Sequence, residues 1–194
     1  MTLTRSDLWS LEEYSEKRAS FRMEVIAHKK NRELNLTANA RLLFEDEMTV
    51  RYQIQEMLRI EKVFEAAGIQ EELDTYNPLV PDGANWKATL MLEYNDIKVR
   101  KEVLAKLIGV EDQVWMQIAD HQKIYAIADE DLERENDVKT SSVHFLRFEL
   151  SEEMLKSAKS GANISTGCDH ENLQTGNITL PLATVSSLLK DLYN

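Results

Sequence analysis

The chain has 194 residues, 43% of them hydrophobic, with a formal net charge of −11. That length suits one substantial domain and is short for two large ones. A charge of this sign argues against nucleic-acid and anionic-membrane partners, which need a basic face. One cysteine, Cys168, excludes an intramolecular disulfide and any zinc or iron–sulfur site built from this chain's cysteines alone.

In chain order, Ser10 and Glu13 form a capping-box pattern, so a helix is expected to follow to about Lys30. Its stripe is Tyr14, Arg18, Phe21, Val25 and His28, spaced 4, 3, 4, 3. HKKNR, His28 to Arg32, is a basic cluster too small to overturn the overall sign. Leu34/Leu36 and Leu42/Phe44 alternate around Thr-Ala-Asn-Ala and predict a β-hairpin. A long helix is expected from about Thr49 to Ala67, ended by Gly68, with an apolar arc of Val50, Ile54, Met57, Leu58 and Phe64. Arg51, Gln55, Arg59 and Lys62 form its polar arc, while Glu61 falls among the apolar positions with Glu65 beside it.

A short helix, IQEELDTY, runs into NPLVPDG, whose prolines and glycine force an irregular excursion suited to lining a pocket or an interface. WKATLMLEY predicts a strand and DIKVRKEVLAKLIG a helix. QVWMQIA and KIYAIAD predict a second hairpin turning at Asp120-His121-Gln122. DEDLERENDV is an acidic loop or helix turn, and KTSSVHFLRFEL holds a strand with both faces largely apolar, which predicts cover on both sides. A helix over SEEMLKSAKSG, strands over ANISTGC and NITL, and a closing helix from Pro181 complete the chain. The fold expected over residues 1–194 is a single α+β domain, its mostly antiparallel or mixed sheet packed by several helices.

No phosphate-binding loop or nucleophile elbow is present. The residues that could carry chemistry are therefore weighed one by one. His144 is a hydrogen-bonded core histidine or a base. Glu61 and Glu65 are ion-paired, turned to solvent, or metal ligands. Glu24 and His28, four apart, place two side chains on adjacent turns, as a surface ion pair or as two ligands. Cys168-Asp169-His170 is a strand end with a loop, or a thiolate–imidazole pair. Together Glu24, His28, Glu61, Glu65, His144 and His170 make a carboxylate–histidine set that could hold a metal. The chain lacks the Glu-x-x-His of ferritin-like di-iron proteins.

LTRSDLWSLEEY, VIAHKKNR, QEMLRIE, YNPLVPDG, ATLMLEY and KTSSVHFLRFEL resemble a bacterial family catalogued as domain of unknown function 3501. The resemblance runs to about Leu150 and more loosely beyond. The family has no established activity, so it assigns no residue a role. Its members are often encoded beside a rubrerythrin and an iron–sulfur oxidoreductase resembling a heterodisulfide reductase subunit. That implies a non-enzymatic accessory part in iron-dependent redox or peroxide defence, with those two proteins as partners. Members tend to carry a histidine where His170 stands, followed by proline; here Glu171 follows. A cytoplasmic location fits the lone cysteine and the polar N-terminus, which has no apolar leader segment. A metal-binding protein or metal-dependent enzyme using His and carboxylate ligands, and a small-molecule module with its pocket between sheet and long helix, are the competing expectations.

Overall fold

The computed structural model describes residues 2–130, 134–136 and 138–193. Among the described residues, six α-helices and nine strands in two antiparallel sheets form an α+β fold. No helix among the described residues is long and apolar enough to cross a membrane.

Ser10 caps α1 (Leu11–Lys29) by accepting from Glu13 N–H at 3.2 Å, and the Glu13 carboxylate accepts from Ser10 N–H. Tyr14, Phe21 and Val25 are its buried positions, as the 4,3 spacing predicts. β1 (Glu33–Asn35) and β2 (Ala40–Glu45) form the expected antiparallel hairpin. β2 then pairs with β3 (Asn85–Leu92), β3 with β7 (Val143–Glu149), and β7 with β6 (Ile127–Ala128). The second sheet runs β5 (Ile124–Tyr125), β4 (Val114–Ile118), β8 (Ile164–Cys168), β9 (Ile178–Thr179). The β4–β5 hairpin confirms the predicted turn, and the chain then crosses at Ala126 from the second sheet into the first. Leu42, Phe44, Trp86 and Leu90 of one sheet and Val114, Met116, Ile164 and Cys168 of the other share one core. α4 (Ile97–Lys106) and α5 (Glu152–Lys159) begin and end close to their sequence expectations; α6 (Leu182–Leu188) begins as expected but gives way to a 3-10 turn over Leu189–Asp191 rather than running on through LKDLYN.

Three expectations need correction. The long helix is two: α2 (Glu47–Glu61) stops at Lys62, which adopts the left-handed conformation, and α3 (Ala66–Tyr76) begins after it. Gly68 therefore lies inside α3; a Cβ there would sit 2.6 Å from Val63 Cγ1, so glycine serves close packing of the α2–α3 turn. The arcs of α2 also differ from expectation. Gln55 is fully buried because the N-terminal segment lies on it, Trp9 N–H donating to Gln55 Oε1 at 2.7 Å, whereas Glu61 at the end of α2 and Phe64 and Glu65 beyond the break are exposed. Finally, β7 is covered fully on one face only: His144, Leu146 and Phe148 are buried, while Val143 and Glu149 reach solvent.

Candidate functional site

The last turn of α1 delivers His28, and the chain then turns so that Arg32 points inward and becomes fully buried. Its guanidinium donates from Nε to the Phe44 carbonyl at 2.8 Å and from Nη2 to the Glu45 carbonyl at 2.9 Å. Nη2 also meets Asp191 Oδ2 at 2.6 Å, and Nη1 meets Ser187 Oγ at 3.1 Å. One buried arginine thus ties β2 to the segment after α6. Asp46 stands beside it at 3.4 Å, caps α2 by accepting from Thr49 N–H at 3.0 Å, and pairs with His28 Nε2 at 2.5 Å.

Of these groups Asp46 and Asp191 line one wall of a cleft of about 560 Å³ between α1, the start of α2, the Val80-Pro81 loop and the C-terminal segment. That volume lies within the roughly 300–1,000 Å³ of small-molecule sites. The opposite wall is aromatic. Trp9 packs edge-on to Phe21 with ring centroids 5.0 Å apart. The Arg51 guanidinium lies over Trp9 at 4.1 Å. Among the described residues Arg51 makes no salt bridge, though the Asp7 carboxylate feels its charge, and its Nε is buried without a hydrogen-bond partner. Lys190 lines the same cleft.

The two aspartates titrate in opposite directions. Burial pushes the Asp191 carboxyl up to about 6 despite Arg32. Burial also acts on Asp46, but the His28 hydrogen bond, Arg32 and the Thr49 N–H outweigh it and hold that carboxylate below its usual range. With Asp191 raised to about 6 and Asp46 lowered, the two carboxyls lose their protons in separate steps, and near neutral pH both are chiefly carboxylates. Because the folded pKa of Asp191 exceeds its unfolded value, its contribution to stability is full below about pH 4. It is lost as pH rises through about 6. Asp191→Asn should therefore gain stability relative to wild type, by on the order of 2 kcal/mol, between pH 4 and pH 8. Urea unfolding at the two pH values checks this.

Of the residues singled out from sequence, Glu24 lies on the cleft and is exposed, and His28 joins it through Asp46. Glu61 ends α2 and Glu65 precedes α3, both at the surface. Neither joins Glu24 and His28 in a ligand cluster. His170 meets the Ile108 carbonyl at 3.1 Å through Nε2, while Cys168 is buried in the core with burial raising its thiol pKa. Asp169 between them accepts from Trp115 Nε1, Lys123 and Tyr125.

His144 is different. It is wholly buried, with Nδ1 2.6 Å from Asp129 Oδ2 and Nε2 2.9 Å from Thr140 Oγ1 and 3.1 Å from the Ser141 carbonyl. Glu111 Oε1 lies 3.7 Å from Nδ1. Among the described residues, Glu111, Asp129 and His144 are the group whose three ligand atoms all fall within 4.8 Å of one another. Burial raises the Glu111 pKa; burial would lower that of His144, but Asp129 and Glu111 reverse the sign.

Sequence reasoning missed Arg32, Asp46, Asp191, Arg51, Glu111 and Asp129. Asp46 carried one legible signal: it stands where an N-cap is expected, ahead of the α2 apolar positions. The NPLVPDG excursion does line cavities, through Pro78 and Leu79 on one and Val80 and Pro81 on the cleft.

Fold and cleft together define an α+β protein with two antiparallel sheets and a polar–aromatic pocket at the junction of its helices and C-terminus. The chain belongs to the family described as protein of unknown function (DUF3501), whose model matches residues 2–192. It is also similar to a solved structure, a novel protein of unknown function from Burkholderia pseudomallei K96243. The two are 51% identical, with a TM-score of 0.95 over 100% of both chains. No curated protein matches the chain.

Proposed function

We propose that this chain is a small-molecule-binding protein whose cleft takes an organic anion carrying an apolar body. The observation that carries the proposal is Arg51, a guanidinium lying over Trp9 with its Nε left without a hydrogen-bond partner, in the wall of a 560 Å³ cleft. An arginine held over an aromatic ring can offer its fork for a bidentate bond to a carboxylate or phosphate. Trp9, Phe21, Val80, Pro81 and Tyr193 supply apolar surface, and Lys190 a second positive charge. Asp46 and Asp191 at the back offer carboxylate oxygens that accept from the ligand's hydroxyl or amine groups.

Trp9 fluorescence titrated with benzoate, hexanoate and phenyl phosphate tests this reading. Wild-type protein should show a saturable change with at least one of the three, weakened tenfold or more in Arg51→Ala. No saturable change with any probe, or an unaltered one in Arg51→Ala, would overturn it.

A ligand-binding module is also a form that an accessory protein of an iron-dependent redox system can take. The resemblance to a family encoded beside a rubrerythrin and an iron–sulfur oxidoreductase supports that placement. Co-elution of the purified chain with either neighbour is the expected result.

A further inference from the structure

We infer that Glu111, Asp129 and His144 form a site for a single first-row divalent cation of the zinc or manganese type. The three come from distant parts of the chain. Glu111 opens the 3-10 turn before β4, Asp129 follows β6, and His144 sits on β7. All of them converge beneath the strand pair β6–β7.

Three observations carry the inference. The first is an orphan. Glu111 is 5% exposed, yet its Oε2 has no hydrogen-bond partner. A buried carboxylate oxygen left unpaired is costly, and a cation removes that cost.

The second is how the histidine is held. Its Nε2 faces the Ser141 carbonyl and the Thr140 hydroxyl, so the Nε2–H donates there and Nδ1 is turned toward the two carboxylates. Donation of the far ring N–H to a backbone carbonyl is how metal-ligating imidazoles are oriented. Asp129 is fixed in the same manner. Its Oδ1 accepts from Phe145 N–H at 2.9 Å and lies 3.3 Å from Arg134 Nη1, which leaves Oδ2 for the site. Its backbone takes φ 48°, the left-handed region, where aspartate is among the few residues tolerated.

The third is spacing. Ligands about 2.0–2.2 Å from a zinc ion at tetrahedral angles lie roughly 3.4 Å from one another. The pairs here are 2.6 and 3.7 Å, within a 4.8 Å envelope, so shifts of about 1 Å in the carboxylates suffice. One imidazole and two carboxylates suit borderline cations. Three protein ligands leave a fourth position for water or substrate. The cation takes the place of the proton now shared between His144 Nδ1 and Asp129 Oδ2.

The test is equilibrium dialysis of the full chain against zinc or manganese alone, with metal counted per chain. Wild type should retain about one ion, with Glu111→Gln retaining tenfold less and His121→Ala as much as wild type. Cobalt added to wild type should give visible absorption bands that Glu111→Gln lacks, a readout of imidazole–carboxylate ligation. Retention of less than a tenth of an ion by wild type would overturn the site without recourse to any variant. Equal retention by a folded Glu111→Gln chain would overturn it too, since the ion would then sit elsewhere on an acidic surface. Neither outcome bears on anion binding at Arg51, so the two proposals fail separately.

Discussion

Replacing Arg32 by methionine is expected to lower stability by about 3–5 kcal/mol, a fall of roughly 10 °C in Tm for a chain of this size. The methionine fills much of the volume, but the carbonyls of Phe44 and Glu45 lose their donors, and Asp191 and Ser187 lose theirs. Removing one partner of a buried pair leaves the desolvation of the other uncompensated. The pH dependence has a definite sign. Without Arg32 the Asp191 pKa moves further above 6, so the variant's deficit grows as pH rises and is smallest below pH 5. Urea denaturation of both chains at pH 5 and pH 8 checks the claim. Equal deficits at the two values would show that Asp191 is not the group that feels the loss. Arg32→Lys is expected to rescue little, since one ammonium cannot replace a fork that serves the Phe44 carbonyl, the Glu45 carbonyl and Asp191 together.

Gly167→Ala is expected to be the other severe change, costing about 3 kcal/mol or more. Gly167 lies inside β8, and its backbone conformation is ordinary; the reason for glycine is space. A Cβ there would stand 2.3 Å from the Gly176 carbonyl oxygen and 2.5 Å from Trp115 Cζ2. Neither can yield easily. Trp115 is 2% exposed, and its Nε1–H donates to Asp169 at 3.0 Å. Gly176 belongs to a turn with φ 67°. Relief requires the β8–β9 loop to move off the indole, so thermal unfolding should show a lowered Tm and near-ultraviolet circular dichroism a changed tryptophan signal. A variant as stable as wild type would mean that this loop does not rest on Gly167 in solution.

Much of the architecture was legible before any coordinates. Where a period was long and uninterrupted, as over Tyr14, Phe21 and Val25, local chemistry and tertiary burial agree, because one stripe can face only one core. Ser10, Ser151 and Asp96 cap helices by bonds made within three residues, so no distant contact is needed to find them. The break at Lys62 was not legible. Periodicity continues across it, and only the left-handed turn reveals that the second arc starts afresh. Gln55 misled for a related reason: its polarity argued for solvent, but its amide oxygen is used to hold Trp9 from 46 residues away.

The two sites divide along the same line. The sequence named Glu24 and His28 for their spacing of four on one helix and His144 for its place on an apolar strand, but not the residues that they meet. It could not pair them. His28 reaches Asp46 across 18 residues, and Arg32 reaches Asp191 across 159. Glu111, Asp129 and His144 meet only because the chain leaves the second sheet at Ala126 and enters the first beside β7. By itself the sequence determined the starts of α1, α4, α5 and α6, the hairpins, the α+β class and the family. Tertiary structure alone decided which charges are buried and what they face, because a charge's environment is set by elements far apart in the chain, on which local periodicity carries no information.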